Sequence, residues 1–486
     1  MPEIQANPFI EAQRPRPTGN VLVMFKPNIT PDDAAKSLEK RGIDVDTQAG
    51  VSAQAGFAAQ AEFPGAGIAV TQPQFRSAHL EASSQGRAFL FRRLNVAVIP
   101  GSKGAGSATA LAATLAQDET VLLARPEFYM FAISDSRYDN WVREGLRILI
   151  EGPTSIGATA PRALDQGVVA QNLLDTIDST WGVKAVAADR SRLTGRGVKV
   201  AVLDTGFDLG FSFPPVAAEQ FNADHRHPDF AGRTFTLQNF VDLANDTAVS
   251  DRFGHGTHCL GTAFGPPRGA THPRYGVAPE ADVYVGKVMN DQGAGREQDI
   301  YAGMDWAIGE QCAVISMSLG RPVQPGEDPD PMYEQIGQHA LDQGCLIIAA
   351  AGNDSYRASG YIAPVSAPAN STTIMAVAAV DANLQIAPFS NGGVNSRGGE
   401  VNIAGPGMSV FSSFPRPQMY KTLMGTSMAA PHVAGVAALW AQSDPKLRGK
   451  ALWQALTSSA FELGLPQRDV GSGLVQAPVS PAPPTV

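Results

Sequence analysis

The chain is predicted to fold as an α/β protein: a mostly parallel, open sheet with helices on both faces, preceded by a small α+β domain. Two observations predict the sheet. From residue 181 onward, short apolar runs without a polar face recur, and helix-length segments separate several of them. Such strands need helices on both sides, and their alternation with helices favours parallel pairing. A third observation, a different pattern up to residue 133, separates the first domain from the second.

Five apolar runs are the strand candidates of the second half. They are VKVAVLD (198–204), ADVYVGKVM (281–289), AVISMSLG (313–320), CLIIAAAGN (345–353) and TIMAVAAV (373–380). Between them, EQDIYAGMDWAIGEQ (297–311) and PMYEQIGQHALDQG (331–344) have the length of helices. Functional groups collect at the carboxyl ends of parallel strands. The residues at these ends are therefore candidate site residues: Asp204, Ser318 with Gly320, and Asn353.

The first half predicts two strand–helix units. NVLVMFK (20–26) is a strand candidate, and TPDDAAKSLEKRG (30–42) is a helix with Thr30 as its cap and Gly42 at its end. After a stretch rich in alanine, glutamine and glycine, the order repeats with a strand over 88–101, a helix over 107–117 and a strand over 120–133. This order predicts a small α+β sandwich.

These patterns divide the chain into five parts. They are an N-terminal extension (1–17), the α+β domain (18–133), a linker with some helix (134–180), the α/β domain (181–478) and a Pro-rich tail (479–486).

Composition and charge exclude several classes of function. A net charge of -9 and a pI near 5.4 argue against nucleic acid or an anionic membrane as the main partner. The first residues lack the apolar core of a secretory signal, which favours the cytoplasm, with export by a route without such a signal as the alternative. Three cysteines, Cys259, Cys312 and Cys345, suit a reducing compartment, and whether Cys312 and Cys345 pair stays open.

An unusual serine begins the apolar helix in LMGTSMAAPHVAGVAALW (423–440). A serine hydroxyl becomes a nucleophile when an imidazole takes its proton and a carboxylate orients that imidazole. His255 in DRFGHGTHCLGTAFG (251–265) and Asp204 in VAVLDTGFD (200–208) supply both groups at a helix start and a strand end. Asp204, His255 and Ser427 are therefore a candidate catalytic triad.

Each of these residues also has an ordinary structural interpretation. A serine at a helix start is usually an N-cap, and an aspartate or asparagine after a strand is often a turn residue. His255, His258 and Cys259 together also offer three metal ligands. No fourth ligand is evident near them in the sequence, which makes the metal site the weaker interpretation.

Five motifs in order resemble the subtilisin family of serine endopeptidases over residues 181–478. They are VAVLDTG, GHGTHCLGT, ISMSLG, AAAGN and GTSMAAPHVAG. Their succession of aspartate, histidine and serine is the one that subtilisin shows. An insertion over 208–226 lengthens the spacing between the first two motifs, and the histidine argues against the related sedolisins. The resemblance implies the subtilisin-like form of the α/β fold.

The resemblance also implies a role for each site residue. Ser427 corresponds to the nucleophile, His255 to the general base and then acid, and Asp204 to the carboxylate that orients the imidazole. Asn353 and the Ser427 backbone N–H correspond to the oxyanion hole. Cys259 matches a cysteine of the proteinase K-like branch, and we expect it to pack beneath the triad.

Substrate binding is implied at two exposed segments that hold an extended peptide. The matching residues are Gly293 and Gly295 in NDQGAG (290–295), Ser318, Leu319 and Gly320 in SMSLG (316–320), and Ala350 and Gly352 in the pocket wall. The expected S1 wall, 318–320 and 349–352 with VSAPAN (365–370) at its base, carries no charge, so we expect an apolar or aromatic residue at P1, the residue before the cleaved bond. Glu297 aligns near the rim of the S4 site, which would favour a basic residue there.

Cofactors are not required on this interpretation. Asp229 matches a calcium ligand of the family, but the loop GPPRGATHPRYG (265–276) lacks the asparagines and acids that complete such a site. The sequence therefore argues against calcium at this position.

The first half resembles the propeptide of the family, a ferredoxin-like inhibitor and folding chaperone. This implies a monomeric zymogen with broad specificity for protein or peptide substrates, its own propeptide as a partner in cis, and self-cleavage between about 133 and 180. Two other functions stay open from the sequence: an inactive scaffold that binds peptides, and a transpeptidase that passes the acyl group to an amine.

Overall fold

The computed structural model describes residues 15–46, 60–62, 69–71, 78–101, 105–133, 173–208, 227–241, 249–267 and 272–479. The predicted N-terminal extension up to residue 14, the predicted linker from 134 to 172 and the predicted tail from 480 lie outside these residues.

The first half contains seven strands and three helices among the described residues. In chain order they are β1 (Pro17–Phe25), α1 (Pro31–Glu39), β2 (Val45–Asp46), β3 (Gln60–Glu62), β4 (Ala69–Thr71), α2 (Ala78–Ser84), β5 (Ala88–Phe91), β6 (Val96–Ile99), α3 (Ala105–Leu115) and β7 (Val121–Ala132). Strand β1 pairs antiparallel with β6 and β7, β5 pairs antiparallel with β6, and β2 pairs parallel with β5.

The single strand predicted over residues 88–101 is instead a hairpin. β5 and β6 pair antiparallel, and the chain reverses through a turn between them. Asn95 adopts a positive φ of 55°, a conformation that asparagine tolerates better than most residues. The prediction was wrong because both strands are apolar and only four residues, 92–95, lie between them, too few to break the apolar pattern in the sequence.

Strand β1 shows how the first domain uses both faces of its sheet. Val21, Val23 and Phe25 are buried in one cluster with apolar residues of α1 and α3. Leu22 and Met24 point the other way and belong to a different buried cluster. Alternate residues of a strand face opposite sides of the sheet, so this strand is buried on both.

The second half contains the remaining described elements. They are α4 (Trp181–Ala185), β8 (Lys199–Asp204), β9 (Phe235–Asn239), α5 (His255–Phe264), β10 (Asp282–Lys287), β11 (Ala294–Arg296), α6 (Glu297–Gly309), β12 (Val314–Met317), β13 (Leu319–Gly320), α7 (Pro331–Asp342), β14 (Leu346–Ala350), β15 (Met375–Val380), β16 (Ile403–Pro406), β17 (Val410–Ser413), β18 (Tyr420–Leu423), α8 (Thr426–Ser443), α9 (Gly449–Ser458) and α10 (Gln467–Val470).

A seven-stranded parallel sheet forms the centre of this half, in the order β16-β15-β14-β12-β8-β10-β9. Each of the five predicted apolar runs contributes a strand to it, which confirms the α/β prediction. The strands are buried almost throughout. Helix α8 packs against several of them and is itself almost wholly buried. Among the described residues, none of the helices combines the length and the apolar character that a membrane span requires.

The two halves share one apolar core. Leu22, Met24 and Met130 of the first half lie in the same buried cluster as Ile300 and Met304 of α6. The first sheet therefore packs one face on α1 and α3, and the other on α2 and on α6 of the second half.

Strand β7 also joins the halves through main-chain hydrogen bonds. Its end pairs antiparallel with β11, with Tyr129 opposite Arg296 and Phe131 opposite Ala294. On its other side it pairs with β13, with Ala132 opposite Leu319. The end of the first domain is thus a strand between two segments of the second.

Candidate active site

Asp204 and His255, 51 residues apart in the chain, meet at the carboxyl end of the parallel sheet, and the helix of Ser427 begins next to the helix of His255. Asp204 is the last residue of β8, His255 the first of α5, and Ser427 the second of α8. All three are buried. His255 Nδ1 lies 2.8 Å from Asp204 Oδ1 and donates to it. The same carboxylate oxygen accepts from the Thr205 backbone N–H at 2.7 Å, which fixes its direction.

Asp251 ties the strand of Asp204 to the helix of His255. One of its carboxylate oxygens accepts from Thr205 Oγ1 at 2.9 Å and from the Gly254 backbone N–H at 2.7 Å, and the other accepts from the Thr257 backbone N–H at 2.8 Å. These donors include free N–H groups near the helix start, where a carboxylate is favourable. The sequence reading did not single out Asp251 or Thr205, although the former lies four residues before His255.

Burial alone would lower the pKa of His255, but the neighbouring Asp204 carboxylate outweighs this effect and raises the pKa well above the ordinary value. The buried carboxylate therefore favours the imidazolium form. An imidazole in this position is stabilised at the moment when it accepts a proton from a hydroxyl.

Ser427 Oγ does not donate to His255 in this structure. It donates to the Ile133 carbonyl at 2.7 Å and lies 3.2 Å from the Ser318 carbonyl. His255 Nε2 is buried and has no hydrogen-bond partner among the described residues. The hydroxyl is thus engaged by the last described residue of the first domain.

Asn353 points its amide at the same carbonyl. Its Nδ2 donates to the Ile133 oxygen at 3.2 Å. Its Oδ1 accepts from the backbone N–H and the hydroxyl of Thr426, each at 2.9 Å, which fixes which end of the amide faces Ile133. A Cβ on Gly425, whose φ is 148°, would lie 2.8 Å from this Nδ2. Gly425 therefore keeps the space beside the carbonyl open.

The predicted peptide-binding segments hold the end of the first domain in extended form. The Ile133 backbone N–H donates to the Ser318 carbonyl at 3.3 Å, and the Ala132 N–H donates to the Gly293 carbonyl at 2.8 Å. Gly295 lies opposite Met130 in the strand register, Leu319 opposite Ala132, and Gly320 opposite Phe131. Five of the seven predicted substrate-binding residues thus face this segment.

Two side chains of this segment, Ile133 and Met130, lie against the second half of the chain or in its core. A Cβ on Gly320 would lie 3.2 Å from Ile133 Cδ1, so the Ile133 side chain passes beside this glycine. Met130 is fully buried. Ala350 lies at the end of β14, and the Gly352 N–H donates to Thr426 Oγ1 at 3.1 Å. Their role as pocket walls stays a prediction.

Glu297, which the sequence places near the rim of the S4 site, contacts the first domain. Its carboxylate accepts two hydrogen bonds from the Arg125 guanidinium, at 2.7 and 2.9 Å, and one from the Phe128 N–H at 2.9 Å. Glu297 therefore contacts residues that precede Met130 along the chain. The preference for a basic residue in S4 stays a prediction.

The alternative metal site at His255, His258 and Cys259 is not assembled. His258 Nε2 faces the carbonyls of Val410 and Lys421, at 3.1 and 3.0 Å, and burial lowers the pKa of His258 to about 3. Cys259 Sγ lies 3.9 Å from His255 Nδ1 and donates to the Ser427 carbonyl at 3.4 Å. Burial raises the pKa of Cys259, so it stays a neutral thiol under the triad.

Cys312 and Cys345 are buried and free, which answers the open question of their pairing.

Asp229, the candidate calcium ligand, is surrounded by hydrogen-bond donors. Its Oδ1 accepts from His272 Nε2 at 3.0 Å and from the Tyr420 hydroxyl at 3.0 Å, and its Oδ2 accepts from the Tyr275 hydroxyl at 2.5 Å. Two of these donors, His272 and Tyr275, come from the loop in which the family's calcium ligands were missing. Calcium sites are built from oxygen acceptors, so this set of donors does not fit the ion.

Comparisons with known proteins agree with this geometry. A model of the subtilase family matches residues 195–475, more than half of the chain. The chain is 36% identical over 305 residues to Subtilisin Savinase of Lederbergia lenta, which covers 61% of this chain and 96% of the relative. The chain is also 36% identical over 305 residues to M-protease of Shouchella clausii, and the match covers 61% of this chain and 68% of that relative. Among solved structures, Sphericase matches with a TM-score of 0.50 and 29% identity, covering 61% of this chain and 97% of its own.

The Asp229 cluster leads to a prediction about stability. Asp229→Asn should lower the free energy of unfolding by about 1–3 kcal/mol, because charge-assisted hydrogen bonds from His272 and two tyrosines are weakened. Tyr420→Phe, which removes one donor, should cost less. Thermal unfolding with added calcium and with a chelator measures both variants. A calcium-dependent rise in Tm that Asp229→Asn abolishes would show that the position binds the ion after all.

Proposed function

The chain belongs to the subtilase family and is a serine-type endopeptidase, and from this premise we propose that it is made as a zymogen that its own first domain inhibits. The observation that carries the proposal is the position of the Ile133 carbonyl, which accepts hydrogen bonds from both Ser427 Oγ and Asn353 Nδ2. This is where the carbonyl of a bound substrate would lie. The bond from Ile133 to Ser134 is then the bond that the enzyme cleaves in itself.

Each residue has a role in the proposed reaction. His255 Nε2 takes the proton of Ser427 Oγ, which attacks the carbonyl carbon, and Asp204 holds the imidazole from its other nitrogen. The oxygen that becomes negative is stabilised by Asn353 Nδ2 and the Ser427 backbone N–H. His255 then gives its proton to the leaving amine, and the peptide C–N bond breaks.

Water completes the reaction. It attacks the acyl-enzyme with His255 as base, and the ester between Ser427 and the substrate breaks to regenerate the hydroxyl. In the structure the Ser427 hydroxyl donates to carbonyls instead of to His255. Turning the hydroxyl from the Ile133 carbonyl to the imidazole is the step that activates it.

The first domain is suited to act as an inhibitor because it is fixed at several points besides the active site. Glu127 accepts from the Gln298 N–H at 2.8 Å at the start of α6. His79 pairs with Asp299 at 3.2 Å, and both are buried. A cleaved peptide that these contacts hold in place would leave slowly, since dissociation must break all of them together.

The segment that fills the site supports an apolar P1 preference. Ile133 supplies the P1 side chain beside Gly320, and Met130 supplies the fourth residue, which is fully buried. Specificity is broad on this view because main-chain hydrogen bonds provide most of the recognition. We also propose that the enzyme acts as a monomer and needs no calcium at Asp229.

Replacing the nucleophile tests the proposal. Ser427→Ala should stay at full length after purification and bind no serine-directed fluorophosphonate, whereas the wild type should be labelled and processed. Gel mobility, intact mass and fluorescence of the labelled band measure both properties. Ser413→Ala, which changes a buried serine that donates to the Thr257 carbonyl, is a matched control and should still be labelled. Full-length wild type without labelling would contradict the proposal.

Inhibition by the first domain should depend on pH through Glu127. Burial raises the pKa of Glu127 to about 7, against hydrogen bonds from Thr18 and Gln298 that lower it; Asp299 raises it further and Arg296 lowers it. Release restores the ordinary pKa of about 4.3. The docked state therefore favours the protonated form, and this contribution to binding is lost as pH rises through about 7.

The measurement is the inhibition constant of the first domain, released by processing, against the processed enzyme between about pH 5 and pH 9. We expect weaker inhibition at the alkaline end, changing by at most about tenfold per pH unit from this group. Glu127→Gln should flatten the difference. An equal pH dependence in wild type and Glu127→Gln would remove Glu127 from this role.

A further inference from the structure

A half-buried arginine of the first domain, Arg125, binds an anionic site on the second. Arg125 Nη1 lies 2.7 Å from Glu297 Oε2, and its Nη2 lies 2.9 Å from Glu297 Oε1 and 2.5 Å from Asp330 Oδ2. The same Nη2 is 3.3 Å from the Tyr301 hydroxyl. The Glu297 and Asp330 side chains are only 0% and 7% exposed. Two carboxylates at the starts of α6 and α7 thus converge on one guanidinium.

The first domain supplies all the donors that the described residues give to Glu297. They are the Arg125 guanidinium and the Phe128 backbone N–H. Asp330 has one further donor, the Met332 N–H at the start of α7, at 2.9 Å. When the first domain leaves, Glu297 loses these bonds and Asp330 loses its charged partner. An uncompensated buried carboxylate is strongly destabilising, so a guanidinium in the same position would be stabilised by both acids.

The anionic site lies on the path of the peptide that enters the active site. Arg125 and Ile133 belong to one continuous extended segment, β7 and the residue after it, eight positions apart. The Glu297 carboxylate accepts a hydrogen bond from the Phe128 backbone N–H, and any extended peptide could offer such an N–H at this position. Phe128 also lies under the Arg125 guanidinium at 5.6 Å, which adds an apolar surface beside the charge.

We propose that the processed enzyme uses Glu297 and Asp330 as a second binding site for substrate, which accepts an arginine eight residues before the P1 residue. The proposal rests on the proposed function, since it needs the same peptide path. Arginine is expected in preference to lysine because two of its nitrogens meet the two Glu297 oxygens at once while one of them also reaches Asp330. The substrates concerned are extended or unfolded segments long enough to span both sites.

Matched peptides test the second site on the processed wild-type enzyme. The first peptide has the sequence of residues 121–133 with a coumarin amide after the isoleucine. The second is the same except that citrulline, which keeps the shape of arginine without its charge, replaces Arg125. The third contains residues 129–133 only, with the same amide. We expect kcat/KM for the arginine peptide to exceed that for the citrulline peptide by about tenfold or more. The shortest peptide reports hydrolysis without the second site.

Variants of the enzyme locate the effect. In Asp330→Asn and Glu297→Gln, the ratio between the arginine and citrulline peptides should fall towards one. Asp328→Asn is the matched control: it removes an exposed carboxylate that pairs with Arg397 at 3.1 Å, and it should keep the wild-type ratio. A ratio near one in the wild type, or one that both acid variants leave unchanged, would overturn the second site while hydrolysis of the shortest peptide still supports the proposed function. Failure to hydrolyse the shortest peptide would overturn both.

Discussion

The pairing of β7 with β11 and β13 is the interaction on which the arrangement of the two halves depends. Main-chain hydrogen bonds from Ala132 to Gly293 and from Ile133 to Ser318 place one carbonyl between Ser427 and Asn353. These bonds need only an extended backbone, so other extended peptides could occupy the same groove. The side chains then determine how long a peptide stays and which one is preferred.

The site is rigid because each reacting group is held by a neighbour that does not react. Thr426 fixes the amide of Asn353, and Thr205 with Asp251 fixes the strand and helix that carry Asp204 and His255. Preorganised groups of this kind stabilise charge without having to reorient during the reaction. The Ser427 hydroxyl is the exception, since it faces carbonyls in the docked state. With the first domain docked, the Asp204–His255 pair is assembled and the Ser427 hydroxyl donates to backbone carbonyls.

Acidic groups on α6 and α7 give the contact between the halves its chemical character. Glu297, Asp299 and Asp330 lie near the starts of these helices and meet basic side chains, among them His79 and Arg125. Glu127 reverses the pattern, because it is an acid of the first domain that caps α6. Burial makes each such group sensitive to the loss of its partner. Binding between the halves should therefore weaken when one of the three acids on α6 and α7 is protonated or when another cation takes the place of its partner.

Sequence alone predicted the parallel sheet, because strands covered on both faces leave apolar runs that helices cannot imitate at that length. It also predicted that Asp204 and His255 meet, since the motifs around them are specific. It did not find Asp251 or Thr426, whose importance depends on partners that no local pattern reveals. It also gave no sign of the contacts that Glu297 makes with Arg125 and Phe128. The sequence also could not reveal the Asp229 cluster, because Tyr420 lies 191 residues away along the chain.

The most direct test of the account is the identity of the bond that the wild-type chain cleaves in itself. Intact mass and N-terminal sequencing of the processed protein determine it to one residue. The proposed function predicts a first fragment that ends at Ile133 and a second that begins at Ser134. A first cut at any other bond between 134 and 180, with the bond after Ile133 left intact, would show that the Ile133 carbonyl is not bound as a substrate carbonyl and would contradict the account.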